Sequence, residues 1–418
     1  MESREVFLLL FSVSRPTRRR SLVFFMALGV LAAARTPAWS AGVSDIIWLE
    51  TNSTADNSIL AFKNDGSGSP VFLGSTPAGG IGVFDRTFVL GPFDSDQNLI
   101  TNPEGTLLFA VNSGSNSIAV FHITSEGLQA VDGSPFPSGG TDPVSLGLKD
   151  DILTVVNKDQ DPAQNANLVQ PNYTTFRVLP NGVLIPIEHS TVSVAYSSSP
   201  SQALIASQGS FVFGADFLGG LLQSFRIDED GRLRQNLPQA LPASVFTGLT
   251  APHLPLGMRT NPELRILYVD ITMISKVAVY RYDEKGRLFF VRAVPDSGKA
   301  PCWAVVNHAG TRFYATNTGD NSISVFDLAD PLNPAEIQHF IMADTTGAPF
   351  STVIDNSDQF LYVSSELASA TATPKANAFH TLKVNSDGTL VEPFLPTVLP
   401  IEGTIPVRAQ GITVVGAN

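Results

Sequence analysis

The sequence predicts an all-β protein, and three observations support this fold class. Short runs of alternating apolar and polar residues recur along the chain, and turns rich in Asn, Ser, Asp and Gly bound them. No stretch longer than two turns has the periodicity of an amphipathic helix. Of the 418 residues, 43% are hydrophobic and 15% are charged, so the chain can bury a large core and is not a disordered one.

A repeated unit of strand, polar turn and strand defines the architecture. Three copies contain the same Asn-Ser-Ile turn and strand, namely Asp56–Phe62, Ser115–Phe121 and Asp320–Phe326. The strand before each unit often begins with Pro, and seven such start points follow one another at steps of 46 to 57 residues. The start points are Asp96, Pro143, Pro200, Pro255, Pro301, Pro349 and Pro406. This spacing suits four short antiparallel strands per unit.

Seven such units predict a seven-bladed β-propeller of four-stranded antiparallel blades. A small sheet has two faces to cover, and a radial arrangement buries each face against the neighbouring sheet. Pro406–Val415 has the pattern of an innermost strand without successors. Ile46–Glu50 and Ile59–Phe62 have the pattern of middle strands without a predecessor. We therefore expect the C-terminal strand to join the N-terminal blade and close the ring, with six or eight blades as the alternative.

The amino end has the pattern of an export signal. The basic stretch Arg15–Arg20 precedes the apolar run Leu22–Ala34, which is short for a bilayer span and normal for a signal-peptide core. Residues 1–41 are accordingly predicted to be a signal peptide, and residues 42–418 a single propeller domain that is secreted or periplasmic. Thr17–Leu22 also resembles a twin-arginine signal, so two export routes stay open.

Charge and motif content disfavour several classes of function. Asp and Glu number 38 against 26 Lys and Arg, a net charge of −12, and an acidic surface repels nucleic-acid phosphates. The single cysteine, Cys302, excludes an internal disulfide framework. The chain contains no Gly-x-Ser-x-Gly, no His-Glu-x-x-His, no phosphate-binding glycine loop and no haem-attachment motif. Asp159–Asp161 offers oxygen ligands without the complete calcium-loop pattern. We expect no metal and no cofactor.

The repeats resemble those of a known propeller family. Phe313–Asn317 and Leu361–Val363 are similar to tyrosine-valine-threonine-asparagine repeats. The unit as a whole resembles the lactonase propellers, which include 6-phosphogluconolactonase of the propeller type and the fungal carboxymuconate cycloisomerases. The resemblance implies hydrolysis or isomerisation of a sugar or aromatic-acid lactone.

One signature of that family is matched in part. The family carries Gly-Pro-Arg-His, then a Pro-x-Gly turn, then a strand that ends in Asn-Glu-Leu. Its best match here is Gly347–Ser351 followed by Leu361–Leu367. The resemblance places Glu366 at the family's glutamate, whereas Phe350 and Ser351 stand where the family has its Arg-His pair.

Residues that follow the start points are predicted to surround one mouth of the central channel. This ring is mostly neutral, as suits a pocket for a sugar or an aromatic acid. We expect Gln97, Asn98, Gln202 and Trp303 to contact a ligand there, and His253 to overhang the same mouth. The alternative is a set of packing residues around a water-filled channel.

Glu366 and Arg408 are the candidate catalytic residues. Glu366 would activate a water molecule as general base, and Arg408, a cation in the ring, would hold the developing oxyanion or a ligand carboxylate. A structural ion pair between the two is the alternative. Cys302 has no adjacent base in sequence and is predicted to be a core residue.

Two functions stay open at this point. One is an exported lactone hydrolase or isomerase, and the other is a non-catalytic propeller that binds a protein or glycan, which the missing Arg-His pair favours. The predicted partners are a small-molecule lactone, a carbohydrate or a protein, with no nucleic acid and no membrane span in the mature chain. A redox propeller is disfavoured because the sequence offers no cofactor ligand set, and we expect a monomer.

Overall fold

The computed structural model describes residues 44–66, 69–84, 95–164, 168–246, 254–366, 376–401 and 407–416. These residues form seven antiparallel sheets. Three sheets have four strands, and in the other four the outermost strand is broken into two short pieces. The predicted fold class is therefore confirmed, while the predicted signal peptide lies outside the described residues.

The first three blades contain β1 to β13. Blade 1 begins with β1 (Asp45–Glu50), β2 (Ser58–Asn64) and β3 (Val71–Pro77). Blade 2 has β4 (Leu99–Thr101), β5 (Leu107–Asn112), β6 (Ser117–Thr124), β7 (Gly127–Ala130) and β8 (Phe136–Pro137). Blade 3 has β9 (Pro143–Lys149), β10 (Ile152–Asn157), β11 (Asn172–Val178), β12 (Leu184–Pro186) and β13 (Val192–Ser193).

The next two blades contain β14 to β22. Blade 4 has β14 (Leu204–Ile205), β15 (Phe211–Asp216), β16 (Leu221–Ile227), β17 (Leu233–Gln235) and β18 (Gln239–Ala240). Blade 5 has β19 (Pro255–Thr260), β20 (Ile266–Ile271), β21 (Lys276–Tyr282) and β22 (Leu288–Pro295).

The last strands, β23 to β32, complete the ring. Blade 6 has β23 (Pro301–Val306), β24 (Arg312–Asn317), β25 (Ser322–Asp327) and β26 (Ala335–Ile341). Blade 7 has β27 (Ala348–Ile354), β28 (Phe360–Glu366), β29 (Ala378–Val384), β30 (Leu390–Val391) and β31 (Thr397–Val398), and β32 (Ile412–Gly416) returns to blade 1. The described residues also hold single-turn 3-10 helices at Ser113–Ser115, Pro162–Gln164, Ala243–Val245 and Thr272–Ile274. No helix within this part of the chain has the length and apolarity needed to cross a membrane.

The ring closes through the carboxyl-terminal strand, as the sequence predicts. β32 is the innermost strand of blade 1 and pairs antiparallel with β1, from Asp45 opposite Gly416 to Leu49 opposite Ile412. Phe62 and Phe379 then pack edge to face, with ring centroids 5.0 Å apart, between blades 1 and 7. The two ends of the propeller are thus held together by hydrogen bonds and by apolar packing.

Proline marks the beginning of several inner strands. Pro143, Pro255 and Pro301 are the first residues of β9, β19 and β23, and Pro349 is the second residue of β27. Proline has no N–H to donate, so the first position of a strand accommodates it without the loss of a ladder hydrogen bond. We call the end of the channel at which the inner strands begin the upper mouth, and the end at which they finish the lower mouth.

A buried polar network supports the blade that closes the ring. The Tyr362 hydroxyl donates to Asp45 Oδ2 at 2.7 Å, and Asn64 Nδ2 donates to the Tyr362 oxygen at 2.7 Å. Burial raises the pKa of Asp45 from its usual 3.8 to about 6, against the opposing effect of the Tyr362 hydrogen bond. The ionised form of Asp45 is therefore disfavoured in the folded protein.

Asp45→Asn is expected to stabilise the protein at pH 8 and to leave its stability almost unchanged at pH 3. Because the pKa of Asp45 is raised on folding, the wild type loses stability as pH rises from about 4 to about 6, and the variant does not. The expected gain at pH 8 is about 1–3 kcal/mol in the free energy of unfolding, measured by urea titration. An equal difference at both pH values would contradict this explanation.

Candidate functional site

At the upper mouth, the residue after the second strand of a blade often joins that blade to the next. Ser113, Thr272 and Thr318 donate their hydroxyls to the carbonyls of the inner-strand prolines of the next blade, Pro143, Pro301 and Pro349, over 2.6, 2.9 and 3.0 Å. In blades 5 and 6 this residue directly follows the one that pairs with the inner-strand proline. In blade 7, Ser365 pairs with Pro349, so Glu366 occupies the position that corresponds to Thr272 and Thr318.

Glu366 contacts Arg408 at this mouth. Arg408 Nη2 donates to Glu366 Oε1 in a short ion pair, and Gln410 Nε2 donates to Glu366 Oε2 at 3.3 Å. The Glu366 side chain is 1% exposed and that of Arg408 is 12% exposed. The carboxylate therefore lies beneath the guanidinium, and the cation is the member of the pair nearer to solvent.

The backbone around Arg408 is fixed by two asparagines from neighbouring blades. Asn377 Nδ2 donates to the carbonyl of Val407 at 2.8 Å, and its Oδ1 accepts from the amide of Ala409 at 3.2 Å. Asn52 Nδ2 donates to the Arg408 carbonyl at 3.4 Å. These bonds direct the Arg408 side chain toward Glu366. A guanidinium has five N–H donors in a planar fork, so it can hold a carboxylate and a ligand oxygen together.

The predicted amide residues form a network across the channel. Gln202 Nε2 donates to Gln97 Oε1 at 3.0 Å, and Gln202 Oε1 accepts from the amide of Met258 at 3.0 Å. Asn98 Nδ2 donates to the carbonyl of Val144 at 2.9 Å. Gln202 and Asn98 are buried, whereas Gln97 is half-buried. The network connects blades 2 to 5 and leaves Gln97 the most accessible of the three.

Trp303 lies in the protein core. Its ring packs edge to face on Phe350 with centroids 5.6 Å apart, and both side chains are buried. The surrounding cluster is apolar and also contains Phe217, Leu254, Leu256 and Cys302. His253 lies outside the described residues. The structure thus brings Glu366 to Arg408 and Gln97 to Gln202, and it buries Trp303 among packing residues.

An ion pair between Asp96 and Arg259 and a buried lysine were not anticipated. Arg259 Nη2 donates to Asp96 Oδ2 at 2.5 Å, beside the amide network. Lys158, at the position in blade 3 that corresponds to Glu366, is fully buried. Burial raises the pKa of the nearby Asp142 to about 8, and the charge of Lys158 partly opposes that effect. The sequence already distinguishes Lys158. It follows the strand-ending Asn157, whereas Asn112 and Asn317 are followed by Ser113 and Thr318.

The carboxylates of Asp159 and Asp161 accept hydrogen bonds from their own loop and from the segment before β9. Asp159 Oδ1 accepts from the Thr141 hydroxyl at 2.8 Å, and its Oδ2 accepts from the Val169 amide at 2.9 Å. Asp161 Oδ2 accepts from Gln164 at 2.6 Å. In the part of the chain that the structure describes, no group of three or more His, Cys, Asp or Glu residues is arranged to hold a metal ion.

A cavity of about 560 Å³ opens at the lower mouth. Ile100, Leu148, Ile205 and Val414 supply apolar lining. Gln97, which the sequence placed at the mouth where the inner strands begin, lines this lower cavity instead. This cavity is bounded by the turn between β4 and β5, so it lies at the opposite end of the inner strands from Glu366 and Arg408.

The comparisons with known proteins agree with this architecture. The family described as "Lactonase, 7-bladed beta-propeller" matches residues 172–392, which is more than half of the chain. No curated protein matches the chain in sequence.

Solved structures share the fold at low sequence identity. The periplasmic gluconolactonase PpgL of Pseudomonas aeruginosa superposes with a TM-score of 0.65 at 14% identity, over 89% of this chain and 99% of its own. A candidate 6-phosphogluconolactonase from Bacteroides uniformis gives a TM-score of 0.65 at 15% identity, over the same shares of the two chains. A functionally unknown protein from Desulfotomaculum acetoxidans gives 0.62 at 12% identity, again over 89% and 99%. These likenesses show the fold, and the family match shows that the chain belongs to the lactonase family of seven-bladed β-propellers.

Proposed function

We propose that this protein is an exported enzyme that opens the ring of a small lactone, of a sugar or an aromatic acid, at the upper mouth of its channel. Its family membership supports lactone chemistry. Export rests on the basic and apolar pattern of residues 1–41. A structural relative is a gluconolactonase described as periplasmic, which agrees with that location.

The observation that carries the proposal is the contact between Glu366 and Arg408. A base and a cation that lie within hydrogen-bond distance at one mouth can act on the same carbonyl group. Gln410 holds the second carboxylate oxygen, so the orientation of Glu366 is fixed before a substrate arrives. Because Glu366 is buried and both of its oxygens accept hydrogen bonds, the proposed reaction requires a shift of the Arg408 side chain that admits a water molecule to the carboxylate.

The proposed reaction proceeds through a tetrahedral intermediate. Glu366 removes a proton from a water molecule while the water oxygen bonds to the lactone carbonyl carbon. The guanidinium of Arg408 stabilises the negative charge that develops on the carbonyl oxygen. The ring C–O bond then breaks, and the proton held by Glu366 passes to the departing alkoxide. The product is the open hydroxy acid.

Glu366→Gln is expected to lower the rate of lactone ring opening by about 10²-fold or more, because it removes the base and keeps the size of the side chain. Arg408→Met is expected to lower the rate by about 10²–10³-fold through loss of oxyanion stabilisation. Rates are measured by proton release on a panel of sugar and aromatic-acid lactones.

Glu50→Gln is the matched control for these variants. Glu50 is also a buried carboxylate at the end of a second strand, where burial raises its pKa well above its usual value and Asn57 Nδ2 donates to it at 2.6 Å. Turnover by Glu50→Gln should equal that of the wild type. Equal turnover by wild type and Glu366→Gln would remove Glu366 from the mechanism.

A second candidate function is ligand binding without catalysis. Phe350 and Ser351 stand where the family signature has Arg and His, and Phe350 is buried against Trp303. Under this function, lactones or glycans would raise the melting temperature of the wild type without being opened. The lactone panel, run with both a thermal-shift and a proton-release readout, separates the two functions.

A further inference from the structure

Three side chains of blade 7 form a hydrogen-bonded chain that the proposed lactone site does not use. His380 Nδ1 lies 2.6 Å from Glu392 Oε1, and His380 Nε2 lies 3.4 Å from Ser365 Oγ. Ser365 and Glu366 are neighbours on β28, so their side chains point to opposite faces of the sheet. This chain of residues is therefore separate from the Glu366–Arg408 pair.

The order hydroxyl, imidazole, carboxylate is the arrangement that activates a serine nucleophile. The Glu392 carboxylate accepts the N–H of His380 Nδ1, which leaves the lone pair of Nε2 directed at Ser365 Oγ. Such a constellation is recognised by its geometry and not by a sequence motif, and the serine–imidazole bond is often longer before a substrate binds. The absence of Gly-x-Ser-x-Gly therefore does not argue against it.

The segment between blades 6 and 7 contacts the Ser365–His380–Glu392 side chains at two points. The amide of Ala343 donates to Glu392 Oε2 at 2.7 Å, and the hydroxyls of Thr345 and Ser365 lie 2.8 Å apart. Ser365 and His380 are fully buried, whereas Thr345 is half-buried. The Thr345 side chain thus links the Ser365 hydroxyl to the surface. Next to it, Thr346 has a φ of +61°, which is strained for a β-branched residue.

We propose that Ser365, His380 and Glu392 form a second, nucleophilic site that accepts the acyl group of a small carboxylic ester when Thr345 moves aside. Ser365 Oγ bonds to the ester carbonyl carbon while His380 Nε2 takes the hydroxyl proton. The C–O bond to the alcohol breaks, and His380 returns the proton to the departing alkoxide. Water then cleaves the Ser365 ester by the same proton transfers, which releases the carboxylic acid and restores the serine.

The test uses covalent labelling of the full chain with a small alkyl fluorophosphonate, which bonds to an activated serine with loss of fluoride. Intact mass and peptide mapping are expected to locate the label on Ser365 in the wild type. His380→Asn and Glu392→Gln should each slow labelling at Ser365 by about 10²-fold or more, because they remove the base or its orienting partner. Thr345→Ala should accelerate labelling by about 10-fold or more, since it removes the cover.

Ser364→Ala is the matched control. Ser364 is buried beside Ser365 on the same strand, but its hydroxyl donates to the carbonyl of Ser351 at 3.2 Å and faces away from the imidazole. Its labelling should match that of the wild type, and Ser365→Ala should abolish the label. No label on Ser365 in either the wild type or Thr345→Ala overturns the proposal. An equal rate in folded Glu392→Gln, checked by circular dichroism, also overturns it.

This readout is independent of lactone turnover. If Ser365 is labelled but the protein opens no lactone, the nucleophilic site is supported and the proposed lactone function is rejected. Lactone hydrolysis without labelling would do the reverse.

Discussion

Glu366→Leu is expected to lower the free energy of unfolding by about 3–5 kcal/mol, because it leaves the guanidinium of Arg408 largely buried without its carboxylate. The loss should exceed that of Glu366→Gln, whose amide oxygen can still accept from Arg408. Urea unfolding of the purified full chain, followed by tryptophan fluorescence, measures the difference.

The double variant Glu366→Leu with Arg408→Leu provides the control. Replacement of a buried ion pair by apolar side chains of similar volume often costs little, so the double variant should be more stable than Glu366→Leu alone. Stability of Glu366→Leu equal to that of the wild type would mean that the pair is solvated, which would contradict the burial described above.

Gly257→Ala is expected to destabilise the propeller by about 3 kcal/mol or more, because the inner strands of blades 5 and 6 meet at this residue. A Cβ atom at Gly257 would lie 2.4 Å from the carbonyl oxygen of Cys302 and 2.7 Å from Trp303 Cα. Both are backbone atoms, so a whole inner strand would have to shift to relieve the overlap. The melting temperature, measured by differential scanning calorimetry, is expected to fall by several degrees.

Gly416→Ala is the control for this substitution. Gly416 ends β32, and a Cβ atom built there has nothing within 4 Å. The melting temperature of this variant should stay close to that of the wild type. A melting temperature of Gly257→Ala within the error of the wild type would contradict the close contact between blades 5 and 6.

The sequence is informative about the fold because the same short-range chemistry recurs in blade after blade. Proline at the start of an inner strand and asparagine at the end of the next strand both follow from local requirements, which can be read at any one copy. Asn112 and Asn157 illustrate the role of the strand-ending asparagine. Each donates its side-chain amide to a carbonyl in the segment that enters its own blade, that of Ala78 and that of Ser138, over 3.1 Å. Ring closure by β32 followed from counting strands and needed no long-range contact.

The candidate site is only partly readable from the sequence. The family resemblance predicted Glu366, and its position two residues after a start point predicted Arg408. The structure places the two side chains in contact. Asp96 and Arg259 are 163 residues apart, and no motif links them, so only the assembled ring brings them together. His380 was missed for the same reason, because its partners lie on β28 and in the segment after β30.

Trp303 illustrates the opposite difficulty. Its position two residues after a start point predicts a place near the channel, but apolar neighbours from blades 4 to 7 enclose it there. Spacing along the chain predicts how far along an inner strand a residue lies. Whether the side chain faces the channel or the next blade depends on how the neighbouring sheet packs.

A crystal structure of the protein soaked with the open hydroxy acid of the best lactone in the panel tests most directly whether lactone chemistry occurs at the Glu366–Arg408 pair. We expect the carboxylate of this acid to lie within hydrogen-bond distance of Arg408, at the upper mouth. An acid bound only in the lower cavity beside Leu148 and Ile205, at a concentration that inhibits turnover, would contradict it.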